Sequence, residues 1–117
     1  MNIVLLHGVL SREPDVRELP SGVHIASFDV TIRDDGCDTD VVPVAWPDAP
    51  LATLDKLEPG VEVVVTGRVR RRFFRAGGAT QSRTEVVASA VVPSRQSKAV
   101  QKALETALAT GEEWLGG

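Results

Sequence analysis

The sequence predicts an all-β domain, a small closed barrel of five strands. A short helix falls between the third and fourth strands, and a second helix follows the last. Two observations carry this reading. Apolar residues recur with period two over stretches punctuated by proline, glycine and aspartate, and only "LATLDKL" and "SKAVQKALETALAT" switch to helical spacing. At 117 residues and 43% hydrophobic composition, the chain holds enough apolar material for one modest core.

The first strand spans residues 3 to 10. Val4, Leu6 and Leu10 share one parity and Ile3, Leu5 and Val9 the other, so both faces expect cover, from a central position or a neighbouring subunit. "REPDVRELPSG" follows, and its Pro14, Pro20 and Gly22 predict a loop or tight turn. "VHIASFDVTIR" is the second strand. Val23 and Ile25 have one parity while Phe28, Val30 and Ile32 have the other, which predicts a β-bulge or bend near Ala26 and Ser27. After the polar turn "DDGCDTD", "VVPVAW" is the third strand, its Pro43 marking an edge or a bulge.

In "LATLDKL", Leu51, Leu54 and Leu57 are spaced for a short helix that Pro59 and Gly60 stop. The fourth strand begins at Val61 and the fifth ends near Val92, joined by a hairpin loop whose glycines lie in "RAGGAT". Beyond Pro93, Val100, Ala103, Leu104, Ala107 and Leu108 line one side of an amphipathic helix, and "GEEWLGG" closes the chain. Five strands with a helix between the third and fourth follow the plan of the OB-fold, a Greek-key barrel that binds oligonucleotides or oligosaccharides. An SH3-like barrel lacks the helix at that point. The barrel is assigned to residues 1–93, and the C-terminal helix with its short tail to 94–117.

Composition narrows the function. No apolar run reaches the twenty or so residues that a membrane span needs, and "MNIVLLHGVL" reads as a strand, having neither the basic start nor the cleavage site of a signal peptide. One cysteine, Cys37, and two histidines, His7 and His24, give no disulfide framework and no metal set, which fits a reducing cytosol. His7 lies on a strand that expects cover, so it reads as a core or interface residue. The aspartates lie in loops without the spacing of a metal cage or an acid–base pair. The expectation is a binding protein, not an enzyme, with no cofactor.

The net charge is −3, yet Arg68, Arg70, Arg71, Arg72, Arg75 and Arg83 gather within "VEVVVTGRVRRRFFRAGGATQSRTEVVASAVV", whose only acids are Glu62 and Glu85. Alternation sorts this stretch. Val61, Val63, Val65, Val69 and Phe73 have the parity of a core face, and Arg68, Arg70, Arg72 and Phe74 that of an outer one. A row of guanidiniums ending in a ring suits single-stranded nucleic acid: cations follow the phosphates, and unstacked bases lie on aromatic or guanidinium planes. A solvated edge strand is the plainer explanation, but edge strands are guarded mainly by lysine, whereas this stretch uses arginine alone.

Taken together, these residues resemble the bacterial single-stranded DNA-binding protein family. "NIVLLHGVLSREPDVRELPSG" is similar to that family's first strand and loop, "PGVEVVVTGRVRRRFF" to its fourth strand and "SRTEVVASAVV" to its last. The resemblance implies a non-enzymatic OB-fold that coats and protects exposed single-stranded DNA in replication, recombination and repair. It further implies a cytoplasmic, nucleoid-associated protein assembled as a homotetramer, with a dimer as the alternative. Phe74 falls at a stacking aromatic of the family, Arg70 and Arg72 at phosphate-contacting positions, and Trp46 at a second stacking aromatic. Arg17 and Arg33 fall where basic residues line the DNA path, and Arg68, Arg75 and Arg83 complete the expected set.

The chain also departs from the family. The loop after the second strand is short and acidic, with Asp40 near a place where many members carry tryptophan. A helix and "GEEWLGG" stand where the family has a long tail with an acidic, hydrophobic docking tip for replication and repair partners. Glu112, Glu113, Trp114 and Leu115 are read as a last turn packing its tryptophan onto the body, with a divergent docking tip as the alternative. Two other functions remain open from sequence: a primosome-like OB-fold accessory, and an OB-fold interaction module that has lost DNA binding.

Overall fold

The computed structural model describes residues 1–33 and 39–116, with side-chain surroundings as far as residue 109. Asp34, Asp35, Cys37 and Asp38 of the acidic turn, and the side chains of Glu112 to Leu115, lie outside the described residues.

Eight elements follow in chain order: β1 (Val4–Leu10), β2 (Asp15–Glu18), β3 (His24–Arg33), β4 (Thr39–Pro47), α1 (Leu51–Leu54), β5 (Glu62–Ala76), β6 (Ala79–Pro93) and α2 (Ser97–Gly116). The strands lie in the order β1-β5-β6-β4-β3-β2, and β1 also pairs with β3, which closes β1, β3, β4, β5 and β6 into a barrel. The β4–β6 pairing is parallel and the others are antiparallel. This is the predicted Greek-key plan with α1 between its third and fourth barrel strands.

Inside, Leu10, Phe28, Val30, Val44, Trp46, Leu57, Val63, Val65, Val86 and Val91 form one cluster. The leucine triad of the predicted helix divides its work. Leu57 is fully buried, Leu54 packs at the core margin, and Leu51 remains exposed. Regular helix covers only four residues, after which turns carry the chain to Gly60 at φ +90°.

Two local expectations need correction. The segment read as a loop contains β2, a four-residue strand on β3 whose residues are all exposed, with Val16 opposite Ala26 and Arg17 opposite Ile25. Its proximal prolines and lack of apolar alternation concealed it. The bulge expected near Ala26 and Ser27 is absent: β3 pairs without interruption from Ile25↔Pro47 to Arg33↔Thr39. Ala26, Phe28 and Val30 face inward, leaving Ile25 on the outer face.

The register instead steps between β5 and β6, where Thr66 faces Ala90 but Gly67 faces Ala88. Ser89 is the extra residue, and its hydroxyl bonds the Thr66 carbonyl at 3.1 Å. A Cβ on Gly67 would lie 2.2 Å from the Val87 carbonyl oxygen, so the strands approach closely here only because this residue is glycine. Pro43 stands just outside the short β4–β6 contact, which joins Val44 and Ala45 to Val86 and Val87. At the hairpin tip, Gly77 and Gly78 take φ +60° and +79°, the positive pair that a two-residue type I′ turn requires.

Candidate nucleic-acid interface

The Gly77–Gly78 turn fixes which residues of β5 and β6 oppose each other. Counting back from it places Phe74 opposite Gln81, Arg72 opposite Arg83 and Arg70 opposite Glu85. Alternation then puts these six side chains on one outer face. Arg72 lies over the Phe74 ring at 5.6 Å from its centroid, so cation and ring form one surface.

Between this row and the outer faces of β3 and β4 lies a cleft of about 250 Å³, floored by Ile25, Ser27, Pro43 and Ala45. Its walls carry four arginines, Arg12, Arg70, Arg72 and Arg83, and four acids, Glu13, Asp15, Asp29 and Glu85. Glu85 is 6% exposed and lies 2.8 Å from Arg70 and 3.9 Å from Arg72. Asp29 is 3.3 Å from Arg12 and 4.0 Å from Arg83. The cleft thus balances its charges, while its arginines stay partly exposed and retain N–H groups for a ligand.

The expected site residues divide accordingly. Arg70, Arg72, Phe74 and Arg83 converge on this face. Arg17 borders it, because its partner Ile25 shares the outer side of β3. Arg33 lies at the far end of β3, beside His7, Ser11 and Thr31. Arg68 turns into a groove with Asn2, Val87 and Ala107 of α2. Arg75 has the opposite parity and points to the other side of the hairpin, across from Thr80.

Two aromatic expectations are corrected. Trp46 is 6% exposed and belongs to the barrel core, so its ring is not offered to a ligand. It has the parity of Val42 and Val44, which was the signal in the sequence. Phe73 has core parity but is 67% exposed, because the hairpin runs past the end of the barrel. Sequence reasoning also missed Arg12, Asp29 and Glu85. The last was recoverable, since pairing outward from the Gly-Gly turn brings it to Arg70.

Among the described residues no cluster of histidine, cysteine, aspartate or glutamate has the makings of a metal site, and no helix is long and apolar enough to cross a membrane.

Comparison with known proteins gives a consistent picture. Among solved structures, the chain is similar to one described as Plasmodium falciparum SSB complex with ssDNA. The TM-score is 0.68 at 24% identity, over 80% of this chain and 94% of that one, a likeness of fold. Among curated proteins, a single-stranded DNA-binding protein of Oceanobacillus iheyensis is 32% identical over 99 residues, 78% of this chain. The match spans 62% of that relative's length. The model of the single-strand binding protein family matches residues 1–94, most of the chain, and the chain belongs to that family.

Proposed function

We propose that this protein binds single-stranded DNA with little sequence preference and shields it during replication, recombination and repair. The observation that carries the reading is the outer row of β5, where Arg70, Arg72 and Phe74 share one face and the Arg72 guanidinium lies over the Phe74 ring. Phe74 stacks a base, Arg72 extends that platform, and Arg70 and Arg83 meet the phosphates. The relative from Oceanobacillus is named for this activity, and family membership supports a binding protein over an enzyme. The protein acts in the cytoplasm, associated with the nucleoid, as a homo-oligomer for which a tetramer is the leading expectation.

The test is anisotropy of labelled oligo-dT titrated with protein at several salt concentrations, for wild type and the Arg70→Ala/Arg72→Ala/Phe74→Ala triple variant. Wild-type binding that weakens with salt, and weakens by at least about tenfold in the variant, supports the reading. Equal affinity of the two proteins rejects this face.

The balanced cleft favours a second reading, an interaction module that no longer binds DNA, because its four acids offset its four arginines. No binding of any oligonucleotide at low salt selects that alternative.

A further inference from the structure

The β5–β6 hairpin has a second face. Beyond Val69 the inward parity of β5 no longer meets a core: Val69 is 44% and Phe73 67% exposed. Arg71 and Arg75 flank Phe73 on this side, and register adds Thr80, Ser82 and Thr84 from β6. A single exposed ring is ordinary on a protein surface. What distinguishes this one is its surroundings.

The order here is cation, ring, cation, with about 6.7 Å between successive side chains of one face. No residue of this face is acidic. On the other face Arg70 and Arg72 share Glu85, and Arg83 is near Asp29. Among the described residues, neither Arg71 nor Arg75 has an ion-pair partner. Arg71 instead donates two hydrogen bonds to the Ser82 hydroxyl, at 3.1 Å and 2.8 Å, which fixes its guanidinium beside the ring and leaves its charge uncompensated. The second face of the arm therefore offers an anion two guanidiniums that no carboxylate offsets.

The edge of the arm is open as well. β1 pairs with β5 only as far as Gly67, and the Asn2 side chain takes over both backbone groups of Val69, at 2.8 Å and 2.9 Å. No described strand pairs with β5 past that point on this edge, so a polymer can pass from one face to the other.

We propose that the arm binds single-stranded DNA on both faces, with Phe73 stacking a base and Arg71 and Arg75 holding the flanking phosphates. A strand lying on the Arg70–Arg72–Phe74 row crosses the open edge and continues along Phe73. The proposal rests on the DNA-binding reading above and extends it to a site with different residues and its own electrostatics.

The experiment compares Phe73→Ala and Arg71→Ala/Arg75→Ala with wild type on oligo-dT of about 8 and about 30 nucleotides, lengths chosen to fill one face or both. Unchanged melting of both variants confirms that exposed positions were altered without loss of fold. The expected result is unchanged affinity for the short oligonucleotide, a loss of about five- to a hundredfold for the long one, and fewer nucleotides occluded per chain. Wild-type affinity of both variants for both lengths overturns the proposal while leaving the first face intact. So does an altered assembly mass with unchanged binding, which would assign Phe73 to a contact between copies. Wild type that binds neither length overturns the DNA-binding reading and this proposal together.

Discussion

The Arg70 guanidinium lies 2.8 Å from Glu85, a carboxylate only 6% exposed at the centre of the proposed binding face. Opposite positions on a hairpin bring them together, and Arg72 approaches the same oxygen at 3.9 Å. A buried carboxylate among arginines holds the guanidiniums in place and also competes with phosphate for them. Glu85→Gln removes the competitor and keeps the shape. The expected outcome is a loss of about 1–2 kcal/mol in stability, less than for a fully buried pair because Arg70 is partly exposed. DNA binding should gain about one unit of salt slope, as one more phosphate contact forms. Urea unfolding and titration across salt read both. An unchanged slope would show that the arginines already meet phosphate with Glu85 in place.

Gly67 sits where the β5–β6 register steps past Ser89. An added Cβ would meet backbone atoms of Val87 and Ala88 at 2.2, 2.9 and 3.0 Å, and no side-chain rotation relieves that. Gly67→Ala should therefore destabilise by about 3 kcal/mol, near the upper end for overpacking. Gly22→Ala serves as the contrast, having φ +88° but open space around it, with an expected loss of about 1 kcal/mol. Denaturant midpoints compare the two. Similar losses would mean that β5 and β6 separate easily at the step.

What the sequence revealed was local. Period-two alternation, the Gly77–Gly78 turn and the leucine spacing of α1 each arise from a few neighbouring residues, and they were enough for the barrel and the Arg70–Arg72–Phe74 row. What it concealed depends on where distant strands end. Phe73 has core parity, yet exposure follows from the length by which the hairpin outruns the β4–β6 contact at Val44 and Val86. Ile25 has the apolar character of a core residue, but the unbroken register of β3 puts it outside, on the cleft floor. The charge balance was hidden for the same reason: Asp29 comes from β3, Arg12 from the segment after β1, and only barrel closure brings them to Arg83.

Trp46 provides a direct check on that distinction. Its ring lies in the core with Val44 and Leu57, although a tryptophan near a strand end invites assignment as a stacking platform. In a Trp114→Phe background, oligo-dT should leave the Trp46 emission nearly unchanged while anisotropy of the labelled DNA reports binding. Trp46→Phe should keep DNA affinity within about twofold. Trp46→Ala should lose about 3–5 kcal/mol of stability. Strong quenching of Trp46 by DNA would require the β4 end to open on binding.

The outward face of β1 gives the last prediction. Leu5 and Val9 are 47% and 40% exposed on either side of His7, whose Nε2 lies 2.6 Å from Glu62 on β5. Register extends this face across Val64 to Val92, so apolar groups continue over three strands. Such a face favours cover by another subunit, in line with the expected homo-oligomer. Leu5→Asp should place a charge in that contact without disturbing the barrel core, since Leu5 points away from it. Light scattering should then show the mass fall toward a single chain, with the circular dichroism spectrum preserved. Binding to short oligonucleotides should persist, because the Arg70–Arg72–Phe74 row lies farther along β5, beyond the reach of β1. An unchanged mass would move the subunit contact to another surface, with the groove between α2 and Arg68 as the next place to substitute.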